Sequence, residues 1–151
     1  MSYLGRSTHS LDDKGRLILP KRFLDEVAPK DRCFTLTAGC EGCLWLLDSE
    51  GWESIASRVG KDLMGTKQQR QMRRVFLGHA ERVNPDRTNR IVIVEALRSY
   101  ADIDESSDVV LVGTGQAVEI WAKSRWESAL ADAASSYEFS DNHLVGPTAF
   151  E

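Results

Sequence analysis

The chain has 151 residues, and 42% of them are hydrophobic, so it can bury a core as one compact domain or as two very small ones. No apolar run approaches the length of a membrane span, and the first residues lack a basic-then-apolar signal segment, so we expect a cytoplasmic protein with no membrane partner. Cys33, Cys40 and Cys43 are odd in number, which favours a reducing compartment over a disulfide framework.

The formal net charge of −4 argues, by itself, against a nucleic-acid partner. The charges are distributed unevenly, however. Two segments are basic: residues 1–30 have six basic and four acidic residues, and residues 61–90 have eight basic and three acidic ones. The other two are acidic: residues 31–60 have two basic and five acidic residues, and residues 91–151 have three basic and eleven acidic ones. Because local potential attracts a polyanion more effectively than net charge does, this distribution allows a basic face on an acidic protein.

The first half of the chain predicts a strand, a turn, a second strand and a short helix. A strand around residues 7–11 enters the turn "DDKGR" at 12–16, and the branched apolar residues 17–19 form the strand that leaves it. Phe23 and Val27, four residues apart, are predicted to face inward from one or two helical turns. A hairpin, "FTLTAGCEGCLWLL", and a helix that carries Trp52 complete this half.

The segment "TKQQRQMRRVFLG" at residues 66–78 predicts a connecting helix with Met72, Val75 and Phe76 on its buried side. The same helix is basic, with Lys67, Arg70, Arg73 and Arg74. A basic helix of this kind is more typical of a solvated or subunit-facing surface than of direct DNA contact.

The second half repeats the elements of the first at a spacing of 74 residues, which indicates a duplication. This spacing joins Asp12 to Asp86, Arg16 to Arg90, Phe23 to Leu97, Gly39 to Gly113 and Trp52 to Trp126. The second copy predicts strands around 79–83 and 91–93, inward-facing Leu97 and Ala101, and a hairpin over 109–121. Ser124 and Glu127 have the spacing of a capping box at the start of a last helix, and the polar tail after about Ser135 is predicted to fray.

We therefore expect four segments: a first half over residues 6–53, a connecting helical segment over 54–81, a second half over 82–126, and a C-terminal helix with a frayed tail over 127–151. A half of about 45 residues buries too little surface to fold alone. Two halves that interlace their strands can share one core. The predicted α+β fold is therefore a small β-barrel with flanking helices.

The motif "LDDKGRLILP", the duplication and the hairpin that ends in "EIW" resemble the MraZ family over residues 3–130. The resemblance implies two fused AbrB-like, swapped-hairpin β-α-β halves. It also implies a bacterial DNA-binding transcriptional regulator that forms a closed, octamer-like ring of identical subunits. Such proteins bind short direct repeats in double-stranded DNA upstream of their own division and cell-wall gene cluster, which they usually repress, so a nucleoid-associated location is implied as well.

By this resemblance, the first motif comprises Asp12, Lys14, Gly15 and Arg16, and the second includes Asp86 and Arg90. Asn89 stands where the family motif has glycine. The turn is predicted to place residue 89 at positive φ, a conformation that costs an ordinary L-residue roughly 1–2 kcal/mol. Because Asn adopts it more readily than most non-glycine residues, the second turn is expected to form.

Both turns carry the residues that we expect to contact DNA. A two-stranded ribbon fits the major groove, and a turn at its tip presents basic side chains to phosphates and guanine edges. Arg16 and Arg90 are the candidates for forked bonds to bases or phosphates, with Lys14 and Arg87 as point charges beside them. The candidate site extends to Arg6, Lys21 and Arg22.

Two alternatives remain open at this stage. Arg16 and Arg90 could only pair with Asp12 and Asp86 and so stabilise the turns, although both roles can coexist. The second alternative is that the protein is a ring-forming protein-interaction scaffold that does not bind DNA. The eroded second motif and the acidic last third of the chain support it. No Ser, Cys or carboxylate has a recognisable catalytic setting, and the cysteines lack a fourth zinc ligand, so we expect no enzyme activity, cofactor or metal.

Overall fold

The computed structural model describes residues 2–137, which form a mixed α+β fold. Its strands are β1 (Tyr3–Ser10), β2 (Arg16–Ile18), β3 (Phe34–Ala38), β4 (Leu44–Leu47), β5 (Glu81–Val83), β6 (Arg90–Val92), β7 (Asp108–Gly115) and β8 (Val118–Ala122). Its helices are α1 (Lys21–Leu24), α2 (Ser49–Val59), α3 (Lys67–Phe76), α4 (Glu95–Ala101) and α5 (Lys123–Ser136), with a short 3-10 helix over Pro29–Asp31. The predicted order of elements is confirmed in both halves.

Each half contributes its first strand to the sheet of the other half. The six-stranded antiparallel sheet has the order β1-β7-β8-β4-β3-β5, so β1 pairs with β7 of the second half and β5 pairs with β3 of the first. Strands β2 and β6 form a separate two-stranded antiparallel ribbon, the β2–β6 ribbon. The halves are therefore interlaced. The larger sheet ends at β1 and β5, so this pairing does not close it, and the closed barrel stays a prediction.

The strand pairing implies a local two-fold axis between the halves. In the β2–β6 ribbon Leu17 pairs with Ile91, and between β4 and β8 Leu44 pairs with Ile120. Each residue pairs with its own counterpart, which is 74 residues away in the ribbon (91 − 17) and 76 away in the sheet (120 − 44). All four side chains are at most 1% exposed, so the axis passes through the shared core.

The spacing of 74 residues does not hold for the strands that follow the short helices, as the spacing of 76 between Trp45 and Trp121 in the sequence already indicates. His9 and Val83 are 74 apart (83 − 9), but they pair with Val109 and Phe34, which are 75 apart (109 − 34). The spacing reaches 76 in the next strand pair. One extra residue therefore precedes β7 and another follows it, so Gly39 and Gly113 are not structural counterparts.

The four residues predicted to face inward are buried, each at most 5% exposed: Phe23 on α1, Leu97 and Ala101 on α4, and Val27, which lies three residues after α1 ends. They belong to one large apolar cluster, which also contains Leu17 of the ribbon and Leu36 of the sheet. Because this cluster takes residues from the ribbon, the sheet and both short helices, the ribbon is held against the sheet by burial of apolar surface.

The connecting helix α3 forms, but only one of its three predicted core residues is buried. Phe76 stacks on Trp52 with ring centroids 5.4 Å apart. Met72 and Val75 are 50% and 43% exposed, so the prediction that they are buried is wrong for the single chain. The physical reason is that the buried part of α3 is limited to its C-terminal end.

The predicted capping box of α5 is also wrong. The N-cap residue of α5 is Ala122, which is the last residue of β8 and makes no side-chain capping bond. Because the strand runs directly into the helix, Ser124 and Glu127 lie inside the helix rather than before it. The predicted frayed tail lies, from residue 138 on, outside the described residues. Within residues 2–137, no helix is both long enough and apolar enough to cross a membrane.

The position of Leu44 on the local axis leads to a stability prediction. Leu44→Ala should lower the free energy of unfolding by about 2–5 kcal/mol, because the cavity would lie where the two halves meet. Leu4→Ala is the control, since Leu4 lies in strand β1 and is 67% exposed. Its effect should stay within about 0.5 kcal/mol. Urea unfolding followed by tryptophan fluorescence measures both, and equal losses would contradict the central position of Leu44.

Candidate nucleic-acid interface

The first turn, residues 12–16, is organised by one carboxylate. Asp12 Oδ1 accepts hydrogen bonds from the backbone N–H groups of Lys14 (2.9 Å) and Arg16 (2.8 Å). Its other oxygen, Oδ2, accepts from the side-chain Nε of Arg16 at 2.6 Å. The backbone N–H of Gly15 also donates to the carbonyl of Asp12 at 3.1 Å. The aspartate therefore fixes both the turn and the direction of the arginine side chain.

The second turn, residues 86–90, repeats this network. Asp86 Oδ1 accepts from the backbone N–H groups of Thr88 (2.9 Å) and Arg90 (3.0 Å), and Oδ2 accepts from Arg90 Nε at 2.9 Å. The hydroxyl of Thr88 donates one further bond to Asp86 Oδ1, at 2.9 Å. With asparagine in place of glycine, the second turn therefore keeps every bond that the first turn makes to its aspartate, including the bond from the N–H of residue 89 to the Asp86 carbonyl at 3.0 Å.

Both arginines pair with the aspartate of their own turn, so the predicted role in stabilising the turns is confirmed. Each ion pair occupies only part of the guanidinium group. Both ion pairs, Arg16–Asp12 and Arg90–Asp86, are made by Nε. Within residues 2–137, the terminal Nη groups of Arg16 and Arg90 make no hydrogen bond or ion pair with the protein. These groups remain available to an acceptor outside the chain, so the two roles are compatible.

The hydrogen bonds lower the pKa of both aspartates. For Asp12 the backbone N–H of Arg16 is the main cause, and the arginine side chain and the N–H of Lys14 add to it. The pKa of Asp86 is held far below its ordinary value by the N–H of Arg90 first, and by both donors of Thr88. The two carboxylates are therefore ionised at neutral pH, and their charges are directed into the turns.

The two turns lie at opposite ends of the β2–β6 ribbon, and each is bonded to the other half. The carbonyl of Gly15 accepts from the N–H of Ile93 at 2.9 Å, and that of Asn89 accepts from the N–H of Leu19 at 2.8 Å. The sequence predicts a turn at the tip of a ribbon. The structure instead has one strand from each half in the ribbon, so that a turn precedes each strand.

Gly15 and Asn89 both have positive φ, +73° and +64°, as predicted for residue 89. They differ in what lies beside them. A Cβ on Gly15 would overlap Nη1 of Arg98 and would lie 3.1 Å from the carbonyl oxygen of Ile93, to which Arg98 donates a hydrogen bond. The counterpart of Arg98 in the first half is Leu24 (98 − 74), a buried apolar residue. A side chain at residue 15 would therefore have to displace Arg98 of the other half, whereas the residue at the corresponding position in the first half is apolar and carries no guanidinium.

Eight of the predicted site residues lie in the two turns, and three lie outside them. The residues of the two turns are Asp12, Lys14, Gly15, Arg16, Asp86, Arg87, Asn89 and Arg90, and among them Lys14 and Arg87 are exposed. By contrast, the guanidinium of Arg6 lies 5.9 Å from the ring centroid of Trp126. Arg22 lies 5.1 Å from the ring of Phe23, and Lys21 pairs with Asp25 at 2.9 Å. Contact of Arg6, Lys21 and Arg22 with DNA stays a prediction.

Thr88, within the second turn, and Arg98, which lies on α4 beside the first turn, are two further residues of this region that are not predicted from the sequence. The hydroxyl of Thr88, two residues after Asp86, follows a common local turn pattern and could have been identified from the sequence. The position of Arg98 beside Gly15 depends on the interlacing of the halves, which no local pattern shows.

The cysteines lie outside this interface. Cys40 and Cys43 belong to the bend between β3 and β4, with Cys40 exposed and Cys43 buried, and Cys33 is half-buried. Burial raises the pKa of the Cys40 and Cys43 thiols, so both are neutral at physiological pH.

Comparison with known proteins also divides the chain in two. The profile of the family described as "MraZ protein, putative antitoxin-like" matches residues 3–75 and again residues 76–144. A relative named "Transcriptional regulator MraZ", from Salinispora tropica, is 40% identical over 139 residues, which cover 92% of this chain and 93% of the relative. Relatives of the same name from Leifsonia xyli subsp. xyli and Lachnoclostridium phytofermentans are 34% and 37% identical; they cover 95% and 83% of this chain, and 96% and 85% of their own length.

The contact between Arg98 and Gly15 leads to a prediction on exchanging the two turn residues. Asn89→Gly should change the free energy of unfolding by less than about 1 kcal/mol, because glycine adopts positive φ readily. Gly15→Asn should cost about 1–3 kcal/mol, because its side chain must displace Arg98. In an Arg98→Ala background the cost of Gly15→Asn should become smaller. Urea unfolding of wild type, Gly15→Asn, Arg98→Ala and the double variant gives the coupling free energy between residues 15 and 98. If Gly15→Asn costs the same with and without the Arg98 side chain, Arg98 is not the cause.

The lowered aspartate pKa values lead to a prediction on pH. A carboxylate whose pKa is lower in the folded chain stabilises the fold above its unfolded pKa of about 3.9, and this contribution is lost as pH falls through the folded value. The difference in unfolding free energy between wild type and Asp86→Asn should therefore be largest near neutral pH and should shrink below about pH 4. Asp13→Asn, at an exposed neighbour of the first turn, is the control. A difference that does not vary with pH would contradict a role for the ionised carboxylate.

Proposed function

The chain belongs to the MraZ family of transcriptional regulators, and we propose that it binds double-stranded DNA through its two turns and the ribbon between them. A two-stranded ribbon has the width that the major groove of B-DNA admits. Arg16 and Arg90 are diagonal neighbours on this ribbon, since Arg16 pairs with Val92 and Arg90 with Ile18. Diagonal neighbours in a sheet lie roughly 7–8 Å apart, so both guanidinium groups can enter one groove.

The observation that carries this proposal is the separate use of the nitrogen atoms within each arginine. Nε is held by the aspartate of its own turn at 2.6 Å for Arg16 and 2.9 Å for Arg90, which orients the guanidinium. The terminal Nη groups are left for a guanine edge or a phosphate. Lys14 and Arg87 are exposed in the same two turns, and we expect both to contact phosphates.

The finer features of the proposal rest on the family resemblance. They are a closed barrel of AbrB-like halves, repression of the protein's own division and cell-wall gene cluster through short direct repeats, and a cytoplasmic, nucleoid-associated location. An octamer-like ring would also suit direct repeats, because linked sites convert several weak contacts into avidity.

Exposed apolar residues around α3 support self-association. Leu63 and Met64 are 82% and 78% exposed, and Met72 and Val75 lie on the neighbouring helix. The basic residues of this region are partly occupied: Arg70 donates to the carbonyls of residues 64 and 65, at 2.6 and 2.9 Å. An apolar surface that uses its arginines internally suits contact with another subunit better than contact with DNA.

The roles of the basic residues lead to a prediction on DNA affinity. Arg16→Ala should weaken binding to the region upstream of the protein's own gene by about 1–3 kcal/mol, because alanine cannot make the forked bond. Arg16→Lys keeps the charge but cannot make the forked bond, so its DNA affinity should lie between those of wild type and Arg16→Ala. Lys14→Ala should reduce the log–log salt slope by about 0.9, as expected for one phosphate contact. Fluorescence anisotropy measures these affinities.

Arg58→Ala serves as the control, because Arg58 is exposed on α2, away from both turns. A folded Arg16→Ala protein with unchanged affinity would remove Arg16 from the site. Failure of wild type to bind the upstream DNA would favour the interaction-scaffold hypothesis instead. Light scattering on the same samples tests the ring separately, since a strict monomer contradicts it.

A further inference from the structure

The outer face of the β2–β6 ribbon carries apolar residues as well as arginines. Because side chains alternate along a strand, Leu17 and Ile91 face the core while the residues on either side of them face outward. Outward-facing Ile18 and Val92 are 54% and 48% exposed. The ribbon therefore presents two branched apolar side chains to solvent, which is not required by its packing.

These apolar residues lie between the basic ones. The strand register places Ile18 opposite Arg90 and Val92 opposite Arg16, so apolar and basic side chains alternate around the ribbon face. Val94, two residues after Val92, is 36% exposed and continues the apolar surface. We call Ile18, Val92 and Val94 the apolar strip.

We propose that Ile18 and Val92 contact the C5-methyl groups of thymines in the major groove and so contribute to the choice of DNA sequence. This inference rests on the proposed function. The thymine methyl is the apolar group that the major groove displays, and it lies beside the hydrogen-bonding edges that arginines recognise. The ribbon face likewise has apolar side chains beside guanidinium groups, so it can contact methyl groups and hydrogen-bond acceptors at the same time.

The surrounding charge favours DNA over the other occupants of an exposed apolar face. A second copy of this ribbon would bring Arg16 and Arg90 against the same two arginines, and like charges at close range oppose such a contact. Phosphate contacts alone would leave the apolar strip exposed, because phosphate oxygens offer no apolar partner. The major groove provides both the negative potential and the methyl groups.

Replacement of thymine by deoxyuracil tests this inference, because uracil pairs like thymine but lacks the methyl group. The probe is the region upstream of the protein's own gene, amplified once with thymidine and once with deoxyuridine triphosphate. Wild type should bind the uracil probe about fourfold more weakly for each thymine methyl that Ile18 and Val92 no longer contact. The variant Ile18→Ser/Val92→Ser should bind the thymine probe more weakly than wild type and should bind both probes equally.

The ratio of the two affinities within each protein is the decisive quantity, because it cancels any change in folding or assembly. Leu4→Ser is the matched control, since Leu4 is an exposed apolar residue of strand β1, and it should keep the wild-type ratio. A ratio that is the same in wild type and in the double variant would overturn the inference. A double variant that loses affinity equally for both probes and changes its size in light scattering would assign the strip to a subunit contact. If wild type binds neither probe, the proposed function itself fails.

Discussion

The exchange of first strands between the halves is the constraint on which the rest of the structure depends. Strand β1 lies in the sheet beside β7 and strand β5 beside β3, so each half is completed by the other. The turns that follow these two strands are thereby carried to the two ends of one ribbon. Backbone bonds across the axis, from Ile93 to Gly15 and from Leu19 to Asn89, then hold the turns in place. A single half lacks these partners and has too little apolar surface to replace them.

An aspartate at the start of each turn is, by its charge alone, unsuited to the site that we propose for a polyanion. Its negative charge is compensated locally, because both carboxylate oxygens accept hydrogen bonds within the turn. The result is an arginine whose direction is set before any ligand arrives. Ordering a long side chain on binding costs roughly 0.5–1.5 kcal/mol, so an arginine oriented in advance loses less of its interaction energy. The aspartates therefore act as positioning residues for Arg16 and Arg90.

Local patterns predicted much of the fold and of the turns. The inward faces of the short helices follow from spacing, and the positive φ of Asn89 follows from the tolerance of asparagine for that conformation. What could not be predicted depends on contacts between distant parts of the chain. The exposure of Met72 and Val75 reflects how little of α3 reaches the core, and the covering of Gly15 by Arg98 reflects the strand exchange. Periodic patterns in the sequence predict neither feature, because each depends on contacts with residues far away along the chain.

The difference between Gly15 and Asn89 has a consequence for how such a protein can change over time. In an assembly of two identical chains, one codon would specify both sides of the axis, and every substitution would appear twice. Fusion of the halves gives each side its own codons. Arg98 has come to cover one turn, while the other has accepted asparagine at the same backbone conformation. The two halves of a nearly two-fold symmetric protein can therefore change independently, and such a protein can adapt to a target whose two ends differ.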